Sequence, residues 1–308
     1  MLRKFYLQDG VARESTTPIA GCPEVYYYVN PTEDERKTMI NDFEIDEHSL
    51  NSCLDPDELS RLEFNPEGTF IIFKHACDHR ESDDFLFKVT SVGLFLTPER
   101  LIIISAQPIP ATFGGKYFLR LQTLQDVILR MLYRSIFHFL EHLKLINAAS
   151  DLLESKVNSS VQNKSLINLF SLEKSLVFYL NALNTNSILI EKLRINASRL
   201  GLNSDQNDFI DDMIIENNQC IKQAEIYSNI LASLMDARVS IVSNNLNGIM
   251  KTLTLITIGI MLPTFVVSAF SMNVKIPLAT EEHAFWLVLL MSMSSLILLV
   301  IFWRWKKW

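Results

Sequence analysis

Two stretches near the end of the chain carry no charge: Thr252–Phe270 (TLTLITIGIMLPTFVVSAF) and Ala284–Trp303 (AFWLVLLMSMSSLILLVIFW). At 1.5 Å per residue each is roughly 30 Å long as a helix, the thickness of a bilayer's hydrocarbon core. Buried core helices of a soluble protein seldom go so far without charge, so the pattern predicts two membrane spans. Lys251 precedes the first span, and Arg304, Lys306 and Lys307 follow the second. The connection Ser271–His283 sets Lys275 against Glu281 and Glu282. Basic residues on the outer flanks place both termini in the cytoplasm, and Trp286, Trp303, Trp305 and Trp308 bracket the second span as interfacial anchors.

Upstream, the periodicity changes twice. Over 1–118 it is mixed: a strand at Glu24–Val29, then Asn30-Pro31 as N-cap and first helical residue of a helix to about Phe43, and a short helix at Asp46–Leu54. Strand-like runs follow at Thr69–His75, Phe85–Val89, Val92–Leu96 and Leu101–Ser105, the last three spaced for an antiparallel meander. From about 118 to 156, Leu121, Leu124, Ile128, Met131, Leu132, Ser135, Phe139 and Leu143 recur at helical steps. A second helix is expected over 166–199, closing near Gly201. A third starts at Asn203-Ser204-Asp205 and runs without proline to Leu262, about 65 residues passing from cytosol into the bilayer. Its apolar positions Ile210, Ile214, Ile221, Ile226, Ile230 and Leu234 require neighbouring helices, from the same chain or from other subunits.

The first span has an internal pattern of its own. Asn247, Met250, Thr254, Thr257, Met261, Thr264, Ser268 and Ser271 alternate at steps of three and four, one small and polar face on an otherwise Leu/Ile/Val/Phe helix. Such a face is either helix–helix glue, since Ser and Thr help membrane helices pack, or a pore lining of hydroxyl rings with apolar Met constrictions. Two spans per chain enclose no channel, so a pore requires a homo-oligomeric ring. The second span has Ser292, Ser294 and Ser295 but no comparable face, which suits an outer, lipid-facing role. The lining holds no acid. Hydroxyl and carbonyl acceptors suit a strongly hydrated cation such as Mg²⁺, which gives up water reluctantly.

Composition narrows the choice. The 308 residues include 28 Lys+Arg against 35 Asp+Glu, and the part before Lys251 is the more acidic. That balance excludes a nucleic-acid binder, which needs clustered basic residues. The opening MLRKFYLQDGVARE has no apolar core of a signal peptide, so the N-terminal part is expected to stay in the cytosol. The four cysteines are scattered and read as free thiols. His138-Phe-Leu-Glu-His142 fits H-x-x-E-H, which on a helix can hold a hydrolytic zinc, but a solvated helix face is the better reading of both histidines. His75, Cys77 and His79 alternate at a strand end, where a soft-metal site and incidental residues both fit. No phosphate-cradling glycine loop is present, since Gly114-Gly115 lacks the rest of either motif. Any ion flow therefore follows its electrochemical gradient, with no organic cofactor and no enzymatic step.

The last 65 residues resemble the CorA family of magnesium transporters. Met261-Leu-Pro-Thr264 resembles the family's segment within the first span, and Ser271-Met272-Asn273 stands where the family has Gly-Met-Asn. Asn244–Thr254 resembles the Asn-containing run into the pore, and Trp303-Arg-Trp-Lys-Lys-Trp308 the basic tail. The resemblance implies an α+β cytosolic domain followed by long helices and two transmembrane helices. These assemble as a funnel-shaped homo-oligomer, a homopentamer, multi-pass in a bacterial-type inner (plasma) membrane. It implies the divisions 1–118 cytosolic α/β, 119–248 long-helix stalk, 249–271 pore-lining span, 272–283 extracytoplasmic loop, 284–303 outer span and 304–308 basic tail. By the same resemblance Asn273, with Ser271 and Met272, holds a hydrated ion at the outer mouth. Asn247 forms the inner acceptor ring, Leu253 and Met261 are constrictions, and Thr264 and Ser268 line the pore between. Arg304, Lys306 and Lys307 join a basic collar, and Asp212 falls on a stalk position for regulatory Mg²⁺, beside Asp205, Asp208 and Asp211 that equally read as a solvated acidic face. Ser271 replaces the signature glycine, Val274 the usual aromatic, and Lys275 brings a positive charge to the mouth. A zinc, cobalt or nickel carrier, or a non-conducting membrane-anchored sensor or scaffold, is the alternative.

Overall fold

The computed structural model describes residues 1–15, 22–78, 85–109, 118, 120–157, 163–274 and 283–306. The chain divides into two compact units, Met1–Met235 and Asp236–Trp308. The first is built on one seven-stranded sheet in the order β2-β1-β3-β7-β6-β5-β4. Its strands are β1 (Leu2–Gln8), β2 (Val11–Glu14), β3 (Glu24–Val29), β4 (Arg61–Asn65), β5 (Gly68–Ala76), β6 (Val89–Leu96) and β7 (Arg100–Ser105). All neighbours run antiparallel except β3 and β7, whose parallel pairing joins the two halves.

Each face of the sheet is covered, so central strands are apolar on both sides. Phe70, Ile72, Phe95, Ile102 and Ile104 pack with Met39, Ile45, Leu50 and Cys53 of the α1 (Glu33–Asp42) and α2 (Glu47–Leu54) region. Ile71, Phe73, Leu94, Leu101 and Ile103 face α3 (Leu124–Val157), α4 (Asn163–Ile195) and the start of α5 (Ser204–Phe270). Gly93 is where α2 comes closest: a Cβ there would lie 1.9 Å from Cys53 Sγ.

The helices begin where side chains satisfy free backbone N–H groups. α1 starts two residues later than Asn30-Pro31 suggests, because Thr32 and Glu35 form a reciprocal capping box. Asp46 caps α2. Thr123 with Asp126 and Asn203 with Gln206 cap α3 and α5 in the same reciprocal way. The two caps are joined, Gln206 Nε2 donating to Asp126 Oδ1 at 2.7 Å and Thr123 Oγ1 at 3.0 Å. α4 ends at Ile195, and a turn carries the chain to Gly201, whose φ is +69°.

Other elements depart from the sequence pattern. The N-terminus forms the β1–β2 hairpin, with Asp9 and Gly10 both at positive φ as a two-residue turn. β4, whose Leu62 and Phe64 alternate with Arg61, Glu63 and Asn65, is a strand beyond those expected from the sequence. Phe85–Lys88 is not a strand: the Phe87 N–H is held by Ser175 Oγ of α4 at 2.9 Å, and β6 begins only at Val89.

α5 runs for 67 residues, about 100 Å at 1.5 Å per residue. In the first unit Ile210, Met213, Cys220, Ile221, Ala224, Leu231 and Met235 are buried, whereas Ile226 and Ile230 stay exposed. The second unit consists of the rest of α5 and α6 (Ala284–Lys306). α4 is also apolar enough over Leu166–Ile195 to cross a membrane by length and composition. Its Leu172, Leu176, Tyr179, Leu183, Leu189 and Ile190, however, are spent in the core of the first unit.

Candidate functional site

Within the second unit, α5 and α6 touch along one side of each. On α5 that side is Leu255, Gly259, Pro263, Val266 and Phe270, all half-buried while their neighbours are exposed. A Cβ added at Gly259 would meet Leu299 of α6 at 4.0 Å. On α6 the half-buried positions include Val288, Ser292, Ser295 and Leu299, at helical steps. The serines noted in the sequence therefore face the neighbouring helix, where small residues let membrane helices approach.

The polar face of α5 points the other way. Asn247, Met250, Thr254, Thr257, Met261, Thr264, Ser268 and Ser271 are all exposed, as is Leu253. Within the single chain this face does not pack against α6, although Asn247, Met250 and Thr254 at its start also line a cavity between the two helices. The hydroxyls are oriented by their own helix: Thr254, Thr257 and Thr264 donate to the carbonyls of Met250, Leu253 and Ile260 at 2.8, 2.9 and 2.7 Å. Each hydroxyl has one hydrogen, so what remains outward is lone pairs.

The helix ends at Phe270, and Ser271 closes it by directing both its N–H and its hydroxyl to the Ser268 carbonyl, at 3.2 and 2.9 Å. Ser271 is not among the residues at positive φ, so serine in place of glycine fits the backbone here. Met272 and Asn273 follow as exposed bends. Lys275, Glu281, Glu282 and Lys307 lie outside the described residues. At the other end of the unit, a cavity of about 700 Å³ between α5 and α6 brings Asn247 and Thr254 together with Lys251 and Lys306. Arg304 is exposed beside it on α6.

Asp212 sits in the first unit, exposed on α5. The crowd of acids around it is resolved in part, because Asp211 pairs with Arg194 of α4, Nε to Oδ1 at 2.7 Å. Counting in sevens back from Asn247 gives Ser240, Ser233, Ile226, Gln219 and Asp212; from Met250 it gives Ser243, Asp236, Asn229, Lys222 and Ile215. Every one of these is exposed. The face seen in the first span is thus one register of a much longer helix, a signal present in the sequence but not followed beyond the span.

The histidines occupy neither a solvated face nor a cleft. His138 and His142 are both about 5% exposed. His138 Nδ1 lies 3.2 Å from His75 Nε2, and His142 Nδ1 lies 2.6 Å from the Tyr179 hydroxyl. Ser135 Oγ spends its hydrogen on the Lys74 carbonyl at 2.9 Å. His75 Nδ1 is 3.1 Å from the same hydroxyl, and on the far side His138 Nε2 lies 3.5 Å from Asp78 Oδ1. Burial lowers the pKa of both rings, that of His138 from 6.5 to about 4. Glu141 turns outward to Arg134, Nη1 to Oε1 at 3.1 Å. Among the described residues no three His, Cys, Asp or Glu side chains are arranged to hold a metal ion; His79 lies outside them. The motif is a buried neutral network between sheet and helices.

Comparison with known proteins gives a consistent answer. A family model described as CorA-like Mg²⁺ transporter protein matches residues 26–306. The cobalt/magnesium transport protein CorA of Methanocaldococcus jannaschii is 23% identical over 288 residues, covering 91% of this chain and 89% of that protein. The complete structure of the CorA magnesium transporter from the same organism superposes with a TM-score of 0.81 at 19% identity, over 99% of this chain and 97% of that one. The cytoplasmic domain of ZntB from Vibrio parahaemolyticus superposes at 0.60 with 12% identity, over 79% of this chain and 98% of that one.

Proposed function

The chain belongs to the CorA family of Mg²⁺ transporters, whose members move ions and are not enzymes, and on that premise we propose that it passes divalent cations, Mg²⁺ first, down their gradient through a homopentameric pore. The first span lines the pore and the second forms an outer ring, with both termini in the cytoplasm. The divisions at 118, 248, 271, 283 and 303 mark off the soluble domain, stalk, pore helix, outer loop, outer helix and tail.

The observation that carries this reading is the exposed polar face of α5, on the side away from α6. In a single chain the threonine hydroxyls donate only to their own helix, and lipid offers their outward lone pairs no donor. Copies arranged with these faces inward give them water. Lone pairs of Thr254, Thr257 and Thr264 then accept hydrogen bonds from the waters of a hydrated cation, so the ion keeps most of its shell. Asn273, with Ser271 and Met272, holds that shell at the outer mouth, and Asn247 receives it at the inner end. Leu253 and Met261 form the dry constrictions. Lys251, Arg304 and Lys306, with Lys307, make a basic collar. Asp212 and Asp208, one turn apart and exposed, hold the regulatory cation between subunits in the stalk.

A second reading, a Zn²⁺ carrier, draws on the likeness to ZntB and on Ser271 in place of glycine. Uptake into proteoliposomes, with Mg²⁺, Zn²⁺, Co²⁺ and Ni²⁺ offered in turn, separates them. Mg²⁺ uptake by the wild type, lost in Asn273→Ala, is the expected result. Equal uptake by both would remove Asn273 from the mouth, and faster Zn²⁺ than Mg²⁺ uptake would select the second reading.

A further inference from the structure

Lys74 is a buried charge with no carboxylate at salt-bridge distance, although Asp57, Asp55 and Glu58 act on it from farther away. It lies on β5 in the first unit and is 2% exposed. Its Nζ donates to the Pro56 carbonyl at 2.6 Å and to Ser91 Oγ at 3.0 Å. Ser91 in turn spends its hydrogen on the Asp55 carbonyl. An ammonium has three N–H donors, so one remains. Among the described residues no carboxylate lies within ion-pair distance of Lys74, nor of the exposed Lys88. Buried charges are ordinarily paired, because desolvation is costly.

Both lysines line a cavity of about 270 Å³. Its other walls are Leu86, Val89, Phe178 and Ala182, with Asn181 and Asp57 at the polar side. Lys174 adds a third positive charge, its Nζ 5.5 Å from the centre of the Phe178 ring. Two lysines thus line the cavity with one acid, Asp57, on a chain of net charge −7. None of these residues belongs to the proposed ion path.

We propose that this cavity is a binding site for a small organic anion, its phosphate or carboxylate group held by Lys74 Nζ and Lys88 and its ring or apolar body laid against Leu86, Val89 and Phe178. The oxyanion takes the remaining N–H of Lys74 and brings a negative charge into direct contact with it, which the more distant Asp57, Asp55 and Glu58 do not. Burial lowers the pKa of Lys74, while Asp57, Asp55 and Glu58 work to raise it. A bound anion adds to that second effect. A lysine serving only to tie the 55–57 turn to β6 would need no cavity and no second lysine beside it.

Pyridoxal 5′-phosphate combines a planar ring, a phosphate and an amine-reactive aldehyde, and serves as the probe. The full chain in detergent is treated with it and then with borohydride, and the modified lysines are mapped. Label on Lys74 or Lys88 should exceed that on the exposed Lys222 by about tenfold, the ratio expected for one added charge-assisted hydrogen bond. AMP should protect these sites and adenosine should not. Phe178→Ala should weaken protection by AMP while leaving that by inorganic phosphate, and Lys88→Gln should weaken both. Protection by inorganic phosphate equal to that by AMP overturns the role given to Leu86, Val89 and Phe178 and with it the organic body of the ligand. Label spread evenly over surface lysines, or no protection by either anion, overturns the proposal. Lys88 and Phe178 are exposed, so their variants keep the test decisive if Lys74→Met does not fold.

Discussion

At the scale of single residues, several positions are fixed by contacts that leave no room for change. Gly93→Ala drives a methyl group into Cys53 Sγ. It should lower stability by about 1–3 kcal/mol, read from the denaturant midpoint of the detergent-solubilised protein. Cys53→Ala should restore part of the loss. His138 makes stability depend on pH in a definite direction. Its ring protonates near 6.5 in an unfolded chain but only near 4 when folded, because burial and the Arg134 charge oppose the proton while Glu141 favours it. Between those values the unfolded state takes up a proton that the folded state refuses. Stability is full above about pH 6.5 and falls by roughly 3 kcal/mol toward pH 4. His75, His142 and Asp78 share the network, so the drop should shrink but not vanish in His138→Gln, measured as melting temperature against pH. An unchanged slope would place the acid sensitivity elsewhere. The i, i+4 spacing of His138 and His142 was legible in the sequence. What they meet was not, since His75 arrives from β5 and Tyr179 from α4.

At the scale of elements, local patterns were legible and distant pairings were not. β3 was bounded correctly and α5 nearly so, because runs of alternating or seven-spaced residues are written in adjacent positions. The Asp9-Gly10 turn was also written there, but Arg3, Lys4, Arg13 and Glu14 hid the hairpin behind charge. Arg3 and Glu14 turn out to be cross-strand partners, 2.7 and 2.9 Å apart. Nothing local announces that β3 pairs in parallel with β7, or that the loop at Phe87 is held by Ser175 rather than by a neighbouring strand. The polar face of α5 yields a test at this scale. Thr257→Val and Thr264→Val keep shape and helix packing but remove outward lone pairs. Each should cut Mg²⁺ uptake by roughly tenfold, one hydrogen bond to the ion's water shell, with assembly unchanged by size-exclusion chromatography. Unaltered flux in both would take these hydroxyls out of the ion path.

At the scale of the whole molecule, the second unit exposes more apolar surface than a monomer in water tolerates, with Leu253, Ile260, Phe265, Leu290, Leu298 and Trp286 all open. In the proposed assembly a bilayer covers most of it and other copies cover the rest. Cysteine cross-linking distinguishes the two coverings. Of the native cysteines only Cys22 is partly exposed, the others being buried. In a Cys22→Ser background, Ser240→Cys should link copies into covalent dimers under mild oxidation, and Leu298→Cys on α6 should not. The reverse would place the face of α5 outward and dismantle the proposed lining.

The seven-spaced register of α5 has one more consequence. A straight helix turns 100° per residue, so a strict seven-residue repeat slips by about 20° each time. From Asp212 to Ser268 the slip accumulates to about 160°. Straight rods that met along Ser268 would carry Asp212 on their backs. Copies that keep the whole register on a common axis must wind about one another in a left-handed rope. Tightening or loosening that rope at the Asp212 end would then swing the threonines at the other.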